Sequence, residues 1–437
     1  MSDAPGLRPT PLDGPAPASS PLDAALSRRR LLQLSAAAGA ASFLAACGVA
    51  GTKTPGASNV AGGPTGAPGS SASGGPAGSA GASAAPSPSA APTAVTGVFK
   101  MASWLGYIDV SDDGPNHPSL ERFTEETGVA IDYQEAVNAN EEFFAAQLQG
   151  PLRSNVATGW DVVVLSDWMI IRLVKLGWLE EITPGASFPA NLAETYTTRD
   201  WDPDNRFAAP WQSGMTGLGY DRKRTGEITS LAAFFTDAYA GKVTYQSEMR
   251  DTVGLAALYL GSSPTTLTQE QFDAAIGLIK QSIDASIVRQ LTGNDYVEGL
   301  KTRDVTVAMA WSGDVTTLLV PEQSANQDFQ WTLPKEGGML WTDSMCIPKG
   351  ARNKAQAEVF INWYYQPANA AEIEAWVNYV CPVRGADAEL IKIDEALGSN
   401  PLIFPTPEMT ARLHEFTALD VDTASKWEAD FAEAIGI

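Results

Sequence analysis

The stretch Pro334–Pro348, with the sequence PKEGGMLWTDSMCIP, contains a short apolar run between turn signals. Gly337-Gly338 precede the run and Pro348 follows it, as is common at the two ends of a strand. Side chains alternate between the two faces of a strand, so Trp341 and Asp343 are predicted to project on the same side. An aromatic face beside a carboxylate suits an organic cation. A core strand with one buried, satisfied acid is the alternative that these residues leave open.

The composition favours a large acidic protein with more than one lobe. The chain has 437 residues, of which 44% are hydrophobic, enough to bury a sizeable core. It carries 51 acidic and 29 basic residues, a formal net charge of −22. This charge disfavours nucleic acids and anionic lipid surfaces as partners and suits cationic ligands, although exported proteins are often acidic for solubility alone.

The N-terminal region has the features of an export and anchoring segment. Residues 27–33, SRRRLLQ, form a twin-arginine pattern, and Leu34–Ala46 is too short to span a bilayer core, which needs about 20 apolar residues. The apolar stretch ends in LAAC at 44–47, which resembles a lipobox with Cys47 as the lipidated residue. We expect residues 1–46 to be a twin-arginine lipoprotein signal peptide and residues 47–96 to be the lipidated cysteine and a disordered Gly/Ala/Ser/Pro tether. The protein would then lie on the outer face of the cytoplasmic membrane, in the periplasm or at the cell surface.

Beyond Cys47 the chain contains Cys346 and Cys381. An extracytoplasmic location permits a disulfide between them, but twin-arginine substrates fold in a reducing cytosol before export, so both states remain open. His117 and His414 are the only histidines and no CxxC motif is present, so we expect no metal site and no cofactor.

The folded part begins with a strand–helix–strand pattern at Gly97–Ala102, Ser119–Thr127 and Val129–Tyr133. Trp160–Leu165 reads as a buried strand of a parallel sheet, followed by a helix at Met169–Leu176. This alternation predicts an α/β fold. Further expected elements are helices at 140–150, 231–239, 269–285, 354–365, 368–376, 406–416 and 423–435, strands at 243–247 and 304–311, and an extended crossover between lobes at 210–220.

Aromatic and polar residues follow several of these strands. In open α/β sheets, ligands bind beyond the carboxyl ends of the strands. Trp104 and Tyr107 follow the first strand, Ser166 and Trp168 follow Trp160–Leu165, and Trp311 ends the strand at 304–311. They are candidate ligand contacts, with core packing as the alternative for each aromatic residue taken alone.

Glu248 and Asp251 follow the strand expected at 243–247. If a helix begins there, the two acids are three residues apart and share a face. Such a pair serves a cation clamp or a paired-carboxylate enzyme, and acids in a first helical turn are also favoured by the helix dipole alone. A histidine constellation or nucleophile elbow, which would favour an enzyme, is absent from the sequence.

Several motifs lie in a recognisable order. They are Trp104 with Tyr107, FTEETG at 123–128, WDVVVLS at 160–166, DPDN at 202–205, MAWSG at 309–313, PKEGG at 334–338, WTDS at 341–344, and Tyr379. In order and spacing the chain resembles the periplasmic spermidine/putrescine-binding proteins of ABC transporters, within the extracellular solute-binding proteins. The resemblance extends from about residue 99 to residue 413.

The resemblance implies a type II periplasmic-binding-protein fold, in which two α/β lobes are joined by crossing strands and the ligand lies in the cleft between them. Lobe I would comprise residues 97–216 and 343–387, and lobe II residues 217–342 and 388–437. The implied ligand-binding residues are the aromatic box Trp104, Tyr107, Trp168, Trp311, Trp341 and Tyr379, the polar contact Ser166, and the ammonium-binding acids Glu248, Asp251 and Asp343.

Three acids favour a triamine such as spermidine over putrescine. Leu105 and Thr417 depart from the family's polar residues, and the order of acid types at Glu248 and Asp251 is reversed, which leaves the identity of the ligand open.

The implied function is that of a monomeric, lipid-anchored solute-binding protein, not an enzyme, that delivers a polyamine to the permease of an ABC importer. Capture of another organic cation or an opine-like solute is the alternative within the same class. A paired-carboxylate enzyme such as a glycosidase and an adhesion or structural role are the alternatives outside it.

Overall fold

The structure is a computed structural model that describes residues 95–111, 114–318 and 326–436. The expected signal peptide at 1–46, the lipidation site Cys47 and the tether up to residue 94 lie outside the described residues. Within the described ranges, no helix combines the length and the apolar character that crossing a bilayer requires.

The first strand, helix and second strand form the predicted βαβ unit. The strands Gly97–Trp104 and Val129–Val137 pair in parallel, with Gly97 opposite Val129. The helix Pro118–Thr127 buries Leu120 and Phe123 against them and ends at Gly128. Gly128 has a left-handed φ of 73°, which glycine adopts without steric cost, and its N–H caps the helix by donating to the Thr124 carbonyl.

The strands, in chain order, are β1 Gly97–Trp104, β2 Val129–Val137, β3 Val162–Ser166, β4 Ala209–Asp221, β5 Val243–Gln246, β6 Val288–Thr292, β7 Val307–Trp311, β8 Phe329–Thr332, β9 Gly338–Cys346 and β10 Leu413–His414. Within the described part of the chain they form one curled sheet in the order β2-β1-β3-β9-β4-β7-β5-β6, with β8 beside β4 and β10 beside β9. β9 runs antiparallel to both β3 and β4.

Helices cover the connections between these strands. The α-helices are Pro118–Thr127, Asn140–Phe143, Gln149–Arg153, Asp167–Leu176, Arg222–Thr225, Ala232–Phe235, Met249–Tyr259, Gln269–Asp284, Tyr296–Thr302, Ser312–Leu318, Lys354–Tyr364, Pro367–Val377, Ala386–Ile393, Glu395–Gly398, Pro407–Thr410 and Val421–Ile435. Phe144–Leu148 is a π-helical turn, and Glu194–Tyr196, Asp237–Tyr239 and Pro264–Thr266 are 3-10 helices.

The strands β4 and β9 cross from one half of the sheet to the other. At its start β4 contributes Trp211 to the core around β1, β2 and β3, and further on it contributes Leu218 to the core around β5 and β7. β9 crosses in the opposite direction, with Met339 in the second core and Met345 in the first. The predicted α/β fold with crossing strands is therefore confirmed, and the extended crossover predicted at 210–220 is β4.

The lobe boundaries stay a prediction. Leu390 and Ile403 pack in the core around β1 and β3, beyond the return to lobe II that was placed at residue 388.

The helix predicted at 406–416 is wrong. Only Pro407–Thr410 is helical there, and Leu413–His414 instead pair in parallel with Gly338–Met339. The Gly338 N–H donates to the Arg412 carbonyl at 3.1 Å. This pairing with β9 is a tertiary interaction, which overrides the local helical pattern.

The two cysteines of the described part are free thiols, which resolves the question that the sequence left open. Both are buried, and they lie in different hydrophobic clusters, Cys346 beside Val163 and Leu165 and Cys381 beside Trp376 and Val383. Within the described ranges, no group of three or more His, Cys, Asp or Glu side chains is arranged to hold a metal ion.

Candidate functional site

Asp343 lies where the crossing strand β9 passes between β3 and β4. Its Cα is paired with Ser166 on one side and with Gln212 on the other. The side chain is buried, with 4% exposure for the residue. Its carboxylate accepts hydrogen bonds from the Tyr107 hydroxyl at 2.7 Å and from the Ser166 hydroxyl at 2.6 Å. Both donors come from the half of the sheet that contains β1 and β3.

Ser166 is held in place by Asn140, a residue that the sequence analysis missed. The Asn140 Nδ2 donates to the Ser166 hydroxyl at 2.9 Å, and the Ser166 N–H donates to Asn140 Oδ1 at 3.0 Å. Because a serine hydroxyl has one proton and that proton is donated to Asp343, Ser166 orients the carboxylate. The prediction that Ser166 is a polar contact of the ligand itself remains untested.

Asp251 is the second buried acid and lies in the first turn of the helix Met249–Tyr259, which follows β5 as predicted. The residue is 5% exposed. Its carboxylate accepts hydrogen bonds from the Thr216 hydroxyl at 2.7 Å and from the Trp311 indole Nε1 at 2.9 Å. Thr216 lies on β4 and Trp311 on β7, so these donors come from the other half of the sheet. Thr216 is a second residue that the sequence analysis missed.

Burial disfavours the charged form of both acids. It raises the pKa of Asp343 to about 6, against the opposing effect of the hydrogen bonds from Ser166 and Tyr107. It raises the pKa of Asp251 to about 7, against the hydrogen bonds from Trp311 and Thr216. The negative charge of Glu248 contributes to the rise of the pKa at both positions. Glu248 therefore acts electrostatically on both buried acids, and at Asp251 the positive charge of Arg250 opposes part of the rise of the pKa.

Four of the six predicted aromatic residues form a continuous row. The ring centroids of Tyr107 and Tyr379 are 5.8 Å apart, those of Tyr379 and Trp341 5.4 Å, and those of Trp341 and Trp311 6.2 Å, all in edge-to-face geometry. Tyr107 bonds Asp343 at one end of the row and Trp311 bonds Asp251 at the other. The row of rings thus connects the two buried carboxylates.

Two glycines make room for this row. A Cβ added at Gly214 on β4 would lie 2.1 Å from Cζ2 of Trp341, and a Cβ at Gly313 would lie 2.4 Å from Cε1 of Tyr379. Any larger residue would displace these rings. The sequence showed a glycine-rich strand at 210–220, but it did not indicate which side chain the missing Cβ atoms accommodate.

Asp314 anchors the row from the side of β7. The Tyr379 hydroxyl donates to Asp314 Oδ1 at 3.2 Å, and the Tyr296 hydroxyl donates to Asp314 Oδ2 at 2.7 Å. Asp314 lies in the first turn of the helix Ser312–Leu318. It fixes the orientation of Tyr379 and was not identified from the sequence.

Trp104 and Trp168 lie outside the row. Trp104 packs partly buried against the clusters around β1 and β3, and its indole Nε1 has no hydrogen-bond partner among the described residues. The ring of Trp168 is covered by the guanidinium group of Arg250, whose Cζ lies 3.7 Å from the ring centroid. Arg250 also donates to Glu248 at 3.3 Å, so Glu248 forms an ion pair, whereas the hydrogen bonds to Asp343 and Asp251 named above come from neutral groups.

Asp167, next to the site residue Ser166, belongs to an internal ion pair. It accepts hydrogen bonds from Arg199 at 3.2 Å and from the Ser344 hydroxyl at 2.7 Å. Burial raises the pKa of Asp167, and the charge of Arg199 opposes that rise. Its partners thus lie within the protein.

This arrangement defines the class of the protein. Two halves with separate cores, joined by crossing strands that bring aromatic and acidic side chains together, form the two-lobe fold of periplasmic binding proteins. A family model for the bacterial extracellular solute-binding proteins matches residues 119–402. The chain belongs to this family, whose members bind solutes for transport and are not enzymes.

Relatives and solved structures agree with this assignment. The spermidine/putrescine-binding periplasmic protein of Escherichia coli K12 is 28% identical over 269 residues, which cover 60% of this chain and 73% of that protein. The putrescine-binding periplasmic protein SpuD of Pseudomonas aeruginosa is 26% identical over 351 residues, covering 76% of this chain and 90% of that protein.

Among solved structures, the spermidine/putrescine ABC transporter substrate-binding protein PotD of Streptococcus pneumoniae superposes with a TM-score of 0.64 at 22% identity, over 78% of this chain and 98% of that one. AgtB of A. tumefaciens, in complex with agropinic acid, superposes with a TM-score of 0.58 at 19% identity, over 78% of this chain and all of that one.

Proposed function

We propose that the protein captures a polyamine outside the cytoplasm and delivers it to an ABC importer. The observation that carries this proposal is the pair of buried carboxylates, Asp343 and Asp251, connected by a row of aromatic rings. In a polyamine, ammonium groups are separated by methylene segments. Each ammonium would pair with one carboxylate and make a cation–π contact with a neighbouring ring, which contributes about 0.5–2 kcal/mol. The methylenes would pack along the rings.

Charge compensation explains why such a ligand would bind. An ionised carboxylate offers about four acceptor positions. Each buried acid accepts two hydrogen bonds from the described residues named above, which leaves positions for an ammonium group. A buried charge without a counter-charge is costly, and the raised pKa values of both acids reflect that cost. A bound dication would remove it at both ends.

Calorimetric titration of the purified protein with putrescine, cadaverine, spermidine and spermine tests the proposal. We expect 1:1 binding of at least one of them, and binding weaker by about 100-fold or more in Asp343→Asn. Absence of heat with all four amines, together with no effect of any of them on the melting temperature, would contradict it.

The proposal includes the lipid anchor that the sequence predicts at Cys47. The twin-arginine pattern, the apolar stretch and the lipobox cysteine occur in the order of a lipoprotein signal, so Cys47 would hold a monomeric binding protein beside its permease. The tether at 47–96 would let the two lobes open and close near the membrane. Lobe I would comprise residues 97–216 and 343–387, and lobe II residues 217–342 and 388–437. In a bacterial host, Cys47→Ala should move the protein from the membrane to the soluble extracytoplasmic fraction. Membrane retention of this variant would contradict the anchor.

One observation favours a second candidate, a solute that carries an acceptor oxygen as well as an ammonium group. The indole Nε1 atoms of Trp104 and Trp341 and the amide of Gln212 are buried without a hydrogen-bond partner among the described residues. A fully protonated polyamine has no acceptor for these donors, whereas an ω-amino acid does. Titration with an ω-amino acid of similar length distinguishes the two candidate ligands. If the protein binds the amino acid more tightly than any diamine, the second candidate is favoured.

A further inference from the structure

Ser166 directly precedes the helix Asp167–Leu176, but its side chain does not cap that helix. Serine is among the residues most often found at this position, where its oxygen accepts a hydrogen bond from a backbone N–H of the first helical turn. Ser166 has the extended backbone of such a cap, with a φ of −67° and a ψ of 145°, yet within the described part of the chain its hydroxyl makes no capping bond. The hydroxyl instead contacts Asn140 at 2.9 Å and Asp343 at 2.6 Å.

One backbone N–H sets the direction of this chain of hydrogen bonds. The N–H of Ser166 can only donate, so the atom of the Asn140 amide that faces it, at 3.0 Å, is the oxygen Oδ1. The Asn140 Nδ2 then faces the Ser166 hydroxyl and donates to its oxygen. Because the hydroxyl has a single proton and its oxygen accepts from Asn140, that proton is donated to Asp343. The Asn140 amide therefore determines the direction in which the Ser166 hydroxyl points.

Asn140 is itself held in place by its surroundings. It is the first residue of the short helix Asn140–Phe143, which follows β2, and the residue is 7% exposed. Phe143, at the end of this helix, is buried and packs against Trp160, with the ring centroids 5.9 Å apart. Asn140 thus reaches Ser166 from an element that contains none of the predicted ligand-binding residues.

We propose that Asn140 is a positioning residue for ligand binding, which turns the Ser166 hydroxyl away from its own helix and directs its proton to Asp343. Without the Asn140 amide, the hydroxyl would be free to rotate and cap the helix that follows it, as serine at this position commonly does. Asp343 would then keep only the bond from the Tyr107 hydroxyl. This inference rests on the proposed polyamine-binding function, because the ionised Asp343 is the group that would hold an ammonium.

The direction of this proton affects the charge of Asp343. Burial raises the pKa of Asp343 to about 6, and the charges of Asp167 and Glu248 add to that rise. The hydrogen bonds from Ser166 and Tyr107 oppose it. If the bond from Ser166 is lost and the other groups stay, the pKa of Asp343 rises further, and a smaller fraction of the protein has the charged carboxylate at pH 6.

A double-mutant cycle tests the inference through putrescine affinity at pH 6. We expect Asn140→Ala and Ser166→Ala each to weaken binding by about threefold to tenfold. The double variant should bind within about twofold of Ser166→Ala alone, because Asn140 acts through the hydroxyl that this substitution removes. Asn140→Ala combined with Thr216→Val should instead show the product of the two single effects, because Thr216 bonds Asp251 at the other end of the site.

Asn138→Ala is the matched control. Asn138 lies two residues before Asn140 and is exposed, so its variant should bind putrescine like the unmodified protein. Asn140→Ser replaces Asn140→Ala in the cycle if the alanine variant does not fold, because its side chain is too short to make either bond to Ser166 and serine is compatible with the start of a helix.

The titration of Asp343 in the ligand-free protein separates the inference from the function on which it rests. The NMR resonance of the Asp343 carboxyl carbon, assigned with Asp343→Asn, should titrate at a higher pH in Asn140→Ala and at an unchanged pH in Asn138→Ala. If the unmodified protein binds no polyamine but this midpoint moves, the proposed function fails and the positioning of Asp343 by Asn140 stands. If the midpoint stays in place, or if Asn140→Ala weakens putrescine binding by the same factor with and without Ser166→Ala, the inference is overturned.

Discussion

The two ends of the candidate site can be compared through their carboxylates. Asp343 and Asp251 are buried to nearly the same extent, 4% and 5%, and each accepts two hydrogen bonds from the residues named above. The donors to Asp343 come from the β1–β3 half and those to Asp251 from β4 and β7. Each half of the molecule thus orients its own acid. A dication that pairs with both acids would link the two halves, which is how a ligand would favour the closed form.

Removing both acids is expected to have the largest effect. In Asp343→Asn/Asp251→Asn, both ammonium groups of a bound diamine would lose their counter-charge, and polyamine binding should become undetectable. Each single variant breaks one buried pair, at a cost of about 3–5 kcal/mol, and should weaken binding by about 100-fold or more. Calorimetric titration measures both.

Asp273→Asn is the control for these variants, because Asp273 is exposed on the helix Gln269–Asp284 and bonds Gln269. It should bind like the unmodified protein. Equal affinities in Asp343→Asn and the unmodified protein would show that only one end of the site holds a cation.

The pH dependence of binding is expected to be the next largest effect. An ammonium group pairs with an ionised carboxylate, and the pKa values of about 6 for Asp343 and about 7 for Asp251 lie above the ordinary aspartate value. Both acids are thus charged at pH 8 and largely protonated at pH 5.5, so putrescine affinity should fall by about 100-fold between them. Titration in buffers of different ionisation enthalpy should detect protons released on binding near pH 6.5. Affinity that is flat across this range, without proton release, would contradict the raised pKa values.

Gly214 lies beneath the Trp341 ring and allows a test of the row of aromatic rings that connects the two ends of the candidate site. In Gly214→Ala the added methyl group would displace the Trp341 ring, and we expect about tenfold weaker putrescine binding and a lower melting temperature. Gly277→Ala is the control, because no atom lies within 4 Å of a Cβ at that helical position. It should leave putrescine binding nearly unchanged and raise the melting temperature slightly, because alanine is more favourable than glycine in a helix interior. Normal binding by Gly214→Ala would mean that the ring does not contact the ligand.

The smallest effects should come from the hydroxyl donors, and they distinguish the two ends directly. Ser166→Ala removes one donor to Asp343, and Thr216→Val removes one donor to Asp251. A lost hydrogen bond to a carboxylate raises its pKa further, so at pH 7.5 Thr216→Val should weaken putrescine binding by a few-fold and Ser166→Ala by less, because the pKa of Asp251 lies nearer to that pH than the pKa of Asp343 does. The midpoint of the pH profile of binding should move upward in both variants. A downward shift in either would mean that the hydroxyl does not stabilise the charged acid.

Local features of the sequence were sufficient to predict several parts of the site. Trp341 and Asp343 lie two residues apart on β9, and both contact the Tyr107–Tyr379 pair, as strand alternation requires. Glu248 and Asp251 could be assigned to the start of a helix because a strand ends just before them. These predictions depend only on periodicity and on signals within a few residues.

Other parts of the candidate site depend on which strands and helices become neighbours in the fold. The local sequence pattern does not contain that information. The bond between Tyr107 and Asp343 joins residues 236 positions apart, and the fit of Trp341 over Gly214 requires the register of β4 against β9. Arg250 appeared in the sequence only as a basic residue between two acids, and its position over Trp168 depends on how two helices from different halves meet. The pairing of Leu413–His414 with β9 is a third such case.

A crystal structure of the protein with putrescine would test most directly whether a cation bridges the two buried acids. We predict one ammonium nitrogen about 2.7–3.0 Å from the Asp343 carboxylate and the other at the same distance from Asp251, with the methylenes against Trp341 and Tyr379. Putrescine bound elsewhere, or bound with either acid more than about 4 Å from both nitrogens, would contradict this.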